Sequence, residues 1–138
     1  MSLFNQGKSA RTKSLFGHNE GTTTEDVYIC PNNCTAEITY LHIHNTTGNT
    51  NITIEWFIHP NNIDSALSDK TNADYSTWKT SGYTSHYLEG KNLGAGEYVT
   101  FADMDLVLQP GDKLQITPDT AAHLDTILTV TETFVPVG

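Results

Sequence analysis

The sequence predicts an all-β protein, an antiparallel β-sandwich of jelly-roll or Ig-like type with seven to nine strands and an extended N-terminal arm. Three observations carry this. Short segments of alternating polarity recur at close spacing from residue 26 to residue 134, separated by turn residues. Thr, Asn and β-branched residues are plentiful, whereas Ala-, Glu- and Lys-rich stretches are missing. At 138 residues the chain makes one domain, long enough to bury a core without staples.

Residues 1–24 are polar and without period, interrupted by the pairs Leu3-Phe4 and Leu15-Phe16. They read as an arm that docks on a neighbour, with a disordered tail as the competing reading. The sandwich domain then spans 25–138, with an excursion at 61–85. Val27 to Cys30 makes a strand, Pro31-Asn32-Asn33-Cys34 a tight hairpin turn, and Glu37 to Asn45 a second strand. There Leu41 and Ile43 lie on one face, Ile38 and Tyr40 on the other, so both faces are expected to be covered. After the turn Thr46 to Thr50, the residues Ile52, Ile54, Trp56 and Ile58 share one face of a half-buried strand. In the excursion, Ile63 to Leu67 reads as a helical turn, and Tyr75–Lys79 pairs with Tyr83–Leu88 around Ser81-Gly82. Short strands follow at Tyr98–Phe101 and Asp105–Leu108. In Gln109-Pro110-Gly111-Asp112, Pro sets φ and Gly supplies a positive φ. Lys113–Thr117 alternates, and Thr126–Phe134 places Leu128, Val130 and Phe134 on one face.

The net charge of −9 is unevenly placed: residues 1–19 hold Lys8, Arg11 and Lys13 and no acid, and all 16 acids follow. An acidic body disfavours nucleic acid, whose affinity comes mainly from neutralised phosphates. The first residues lack the apolar run of a signal peptide, and no stretch approaches a membrane span. Synthesis in a reducing cytoplasm is the resulting expectation.

No nucleophile, acid–base pair or phosphate loop stands at motif spacing, so no enzyme and no cofactor is expected. His42 and His44 share a strand face about 7 Å apart. With His59 they are the candidate metal ligands, though exposed or interface histidines is the reading favoured here. Cys30 and Cys34 close a turn that can bring two Cα atoms to disulfide distance, and free buried thiols fit equally. Trp78, Tyr83 and Tyr87 could stack on a sugar or a partner protein, or pack within the excursion. Asp103 and Asp105 are candidate calcium ligands, with a solvated turn as the favoured reading.

The order Val27-Tyr28-Ile29-Cys30-Pro31, Ile38-Thr39-Tyr40-Leu41-His42-Ile43-His44-Asn45-Thr46-Thr47-Gly48 and Ile52-Thr53-Ile54-Glu55-Trp56 resembles small structural proteins of tailed bacteriophages. Those are uncharacterised accessory, neck or decoration proteins of the virion. Leu93-Gly94-Ala95-Gly96-Glu97 and Leu106-Val107-Leu108-Gln109-Pro110-Gly111-Asp112-Lys113-Leu114-Gln115-Ile116 continue the likeness, which departs in the 61–85 insertion and in the basic arm. The resemblance implies a non-enzymatic virion protein at the capsid surface, neck, collar or tail. Its partners would be copies of itself, as a trimer or ring, and other virion proteins. Leu3, Phe4, Lys8, Arg11, Lys13, Leu15 and Phe16 would form the arm interface with an acidic neighbour. The rival from another class is a carbohydrate-binding β-sandwich using Trp78, Tyr83 and Tyr87.

Overall fold

The computed structural model describes residues 9–66 and 70–134. Among the described residues, nine strands form two antiparallel sheets: β1 (Ser9–Gly21), β2 (Glu25–Ile29), β3 (Cys34–Thr47), β4 (Thr50–Ile58), β5 (Tyr83–Leu93), β6 (Tyr98–Phe101), β7 (Leu106–Leu108), β8 (Lys113–Pro118) and β9 (Ala122–Phe134). The first sheet runs β1-β9-β3-β6, with β7 also pairing β3, and the second runs β2-β8-β4-β5. Pairing is nested: β1 with β9, β2 with β8, β3 with β6 and β7, β4 with β5. A long antiparallel ribbon is thus folded over on itself, and β3–β9 and β4–β8 contacts close it into two layers. This is a jelly roll, which decides between the two sandwich types the sequence left open.

Alternation places the core. Ile38, Leu41, Ile43, Ile52, Ile54, Leu114, Ile116, Leu124, Leu128 and Val130 are all fully buried between the layers. Ile58 is buried on the same face, with Trp56 half-buried between it and Ile54. Ile38 joins this face although it differs in parity from Leu41. A register shift between Ile38 and Tyr40 inserts one residue and flips the phase of the strand. The expectation of two covered faces on β3 therefore fails: one inward face collects Ile38, Leu41 and Ile43.

Three further expectations change. Residues 9–21 are not a free arm: β1 pairs with β9 along thirteen positions, from Ser9 opposite Phe134 to Gly21 opposite Ala122. The sandwich begins at Ser9 rather than at residue 25, because Leu15 alternates inward onto the core. The turn at Pro31–Asn33 is no hairpin. It hands the chain from β2 in one sheet to β3 in the other, as nested pairing requires. Tyr75–Ser81 is a helix (α2), not a strand. Asp64, in the short helix α1 (Ile63–Ala66), accepts from the Tyr75 hydroxyl and from Lys79 Nζ at 3.1 Å, residues one helical turn apart. With α2 helical, β5 pairs with β4 instead.

Candidate functional site

The outward face of the first sheet is built by the same alternation that builds the core. From β1 it presents Thr12, Ser14, Phe16, His18 and Glu20; from β9, His123, Asp125, Ile127, Thr129 and Thr131. His42 and His44 continue it on β3, and Tyr98 and Thr100 on β6. Hydroxyl pairs line one end, with Thr12 Oγ1 2.9 Å from Thr131 Oγ1. In the middle row Phe16 stands opposite Ile127, which stands opposite His42. Phe16 is 87% exposed, Ile127 47% and Tyr98 64%. Isolated exposed apolar residues are ordinary, but a phenylalanine with so little cover, beside an exposed isoleucine, suits a contact surface.

At the other end of the face, acids and histidines gather. Asp125 Oδ1 lies 2.7 Å from His18 Nδ1, Glu20 Oε1 lies 3.1 Å from His18 Nε2, and His123 Nδ1 lies 3.8 Å from Glu20 Oε1. Hydrogen bonds donated by His18 to Asp125 and then to Glu20 raise the His18 pKa above 6.5, and the same bond lowers that of Glu20. The sequence reading did not single out these four residues. Their only local signals are the alternations His18-x-Glu20 and His123-x-Asp125, and the two pairs meet across a separation of 107 positions.

Beneath the sheet, Glu132 is fully buried. It accepts from the Tyr28 hydroxyl and from Arg11 Nε at 3.0 Å, and Lys13 Nζ lies 3.2 Å away. Burial pushes its pKa up, but the bonds from Tyr28, Arg11 and Lys13 outweigh that and hold it below the ordinary 4.5. Arg11 and Lys13, expected to reach an acidic neighbour, thus serve an acid of their own chain. Leu15 packs on the core, and of the four described candidates for the arm interface, Arg11, Lys13, Leu15 and Phe16, the last is the large apolar side chain left exposed. Leu3, Phe4 and Lys8 lie outside the described residues.

The other sequence candidates are not assembled into sites. His42 and His44 project from the first sheet, where His42 Nδ1 lies 2.8 Å from Thr100 Oγ1 and its ring 5.2 Å from that of Tyr98. His59 follows β4 in the second sheet and accepts from Asn61 N–H, so the three histidines do not converge. Cys30 and Cys34 are buried and unbridged, with sulfurs 4.0 Å apart. Burial, then the neighbouring Cys34, pushes the Cys30 thiol up to about 12, which leaves it un-ionised at neutral pH. Trp78 and Tyr83 meet edge to face at 5.1 Å, while Tyr87 packs edge to face on Phe101 at 5.6 Å. These contacts use the rings internally rather than laying out one flat platform.

No protein-family model and no curated protein sequence matches the chain. Among solved structures, a chain of the disulfide-linked Bacillus endospore appendage pili is similar at 12% identity and a TM-score of 0.47, over 99% of this chain and 97% of that one. A chain of the acid-stable capsid of a Helicobacter pylori bacteriophage is similar at 12% identity and a TM-score of 0.47, over 94% of each chain. A chain of infectious bursal disease virus is similar at 10% identity and a TM-score of 0.46, covering 95% of this chain and 38% of its own length.

Proposed function

We propose that this chain is a non-enzymatic structural subunit of a tailed-bacteriophage particle, at the capsid surface or at the neck, collar or tail. It would assemble with copies of itself, as a trimer or ring, and with other particle proteins. The observation that carries the reading is the outward face of the first sheet, where Phe16 and Ile127 stand side by side in solvent. Two supports stand beside it. The strand-and-turn order of the sequence resembles phage structural proteins. The jelly roll is also a fold that shells are built from, although it serves lectins and other proteins as well. A neighbouring subunit covering Phe16, Ile127 and Tyr98 would remove most of their apolar area from water, at about 25 cal/mol per Å².

The test is a double substitution, Phe16→Ser with Ile127→Ser. Both side chains are exposed, so the sandwich should fold unchanged. Light scattering is expected to show an oligomer for the wild type and a monomer for the variant, and particles should lose the variant. A variant that assembles and incorporates at the wild-type level would overturn the assignment of this face. Glycan binding abolished by Trp78→Ala would instead favour the carbohydrate-binding reading.

A further inference from the structure

We propose a metal site at the corner of the first sheet: His18, Glu20 and His123 bind one divalent transition ion of the zinc class, and Asp125 orients His18 for it. This goes beyond the assembly role and does not depend on it. The site is made by register. His18 stands opposite Asp125 and Glu20 opposite His123 on adjacent antiparallel strands, so four outward side chains occupy the corners of one cross-strand square.

The distances are those of a site that needs little rearrangement. One ligand atom from each of His18, Glu20 and His123 lies within 4.8 Å of the other two. Glu20 Oε1 is 3.1 Å from His18 Nε2 and 3.8 Å from His123 Nδ1. Tetrahedral zinc with bonds of 2.0–2.2 Å sets its ligand atoms about 3.3 Å apart. Closing the cluster therefore asks the two imidazoles to approach by at most about 1.5 Å. Both side chains are about half exposed and can make that adjustment by rotation, without moving the paired strands.

Asp125 supplies an independent indication. Its Oδ1 holds His18 Nδ1 at 2.7 Å, on the ring nitrogen that faces away from Glu20. Metal-binding histidines are commonly oriented in this way by a carboxylate on the far nitrogen, which fixes the tautomer and leaves Nε2 as the donor. The His18 and His123 rings meet edge to face, 87° apart with centroids at 5.9 Å. The bland alternative is an exposed ion pair between a protonated His18 and two acids, which adds little stability. That arrangement needs one histidine; this corner supplies two around one carboxylate oxygen. Two nitrogens and one oxygen select zinc, cobalt or nickel over calcium or magnesium, and water would complete the coordination. The ion would clamp β1, an edge strand with a single neighbour in its sheet, onto β9.

Zinc chloride titrated calorimetrically into the chelator-treated full chain is expected to fill one site per chain and to raise the melting temperature. Cobalt in its place should give the visible absorption of a tetrahedral nitrogen–oxygen site, a signature that an ion pair does not produce. H18A and H123A should each remove saturable binding and the melting shift, while H42A, on the same face, keeps both. D125N should weaken binding about 10- to 100-fold. Circular dichroism of the metal-free variants checks that each remains folded. Absence of saturable binding in the wild type, or wild-type affinity in H18A or H123A, would overturn the site. Wild-type affinity in D125N would remove the positioning role of Asp125.

Discussion

Glu132 joins the first strand to both sheets through one carboxylate. It sits on β9, takes hydrogen bonds from Arg11 on β1 and Tyr28 on β2, and has Lys13 of β1 beside it. A buried carboxylate is costly unless its oxygens are satisfied, and here three donors offset the lost hydration. The Arg11 side chain is 59% exposed and that of Lys13 35%, so solvent screens part of each attraction. Replacing both with alanine leaves Tyr28 as the remaining partner and is expected to cost about 2–3 kcal/mol. The folded pKa of Glu132 lies below its ordinary 4.5. Its contribution is therefore complete above that value and is lost as pH falls through the folded one. Urea midpoints should thus separate wild type and double variant at neutral pH and converge in acid. An unchanged neutral midpoint would mean that the two cations are ornamental to the fold. Nothing in residues 1–19 discloses this partnership, since Arg11 and Glu132 are 121 positions apart. A basic segment without local acids reads as an arm until the register is known.

At the scale of elements, what is local was legible and what depends on distant pairing was not. The alternation of Ile52, Ile54, Trp56 and Ile58 and the Pro110-Gly111-Asp112 turn follow from neighbouring residues alone. Within the turn Asp112 accepts from Gln109 N–H, and distant groups then reinforce it: buried Asp112 also accepts from His59 N–H, Trp56 Nε1 and Asn62 Nδ2. The phase of Ile38 depends instead on a bulge formed against β9, and the Pro31 turn on which sheet each flanking strand joins. The strand-favouring Tyr, Thr and Trp hide helix α2 from the local pattern, although Tyr75 and Lys79 stand one helical turn apart and both address Asp64. Gly111 tests the local part. Its φ is 89°, and a Cβ there would lie 2.9 Å from the His59 ring. Gly96 has a similar φ of 83° with open space around it. Gly96→Ala should cost about 1–2 kcal/mol in backbone strain. Gly111→Ala should cost more, because the His59 ring must also move. Equal melting temperatures for the two variants would deny the steric contribution of His59.

For the whole molecule, the jelly roll turns the first strand into a structural necessity. Nested pairing gives β9 two neighbours, β1 and β3, and β1 alone covers the outer edge of β9. Removing residues 2–20 would strip nearly the whole thirteen-position ladder, withdraw Leu15 from the core and leave Glu132 without either cation. It would also bare a long row of unpaired backbone groups on β9, a ready template for edge-to-edge association. The truncated chain is therefore expected to aggregate, or to melt broadly and far below the full chain, when followed by circular dichroism and light scattering. A detachable arm would behave differently, leaving a monomer that melts cooperatively at the temperature of the full chain. That outcome would return residues 9–21 to the role of a docking segment. Loss of particle assembly on truncation would by itself decide nothing about a docking role, because an unfolded subunit also fails to assemble. Phe16, exposed on a strand the fold requires, separates the two causes: its substitution can abolish assembly while the melting temperature stays where it was.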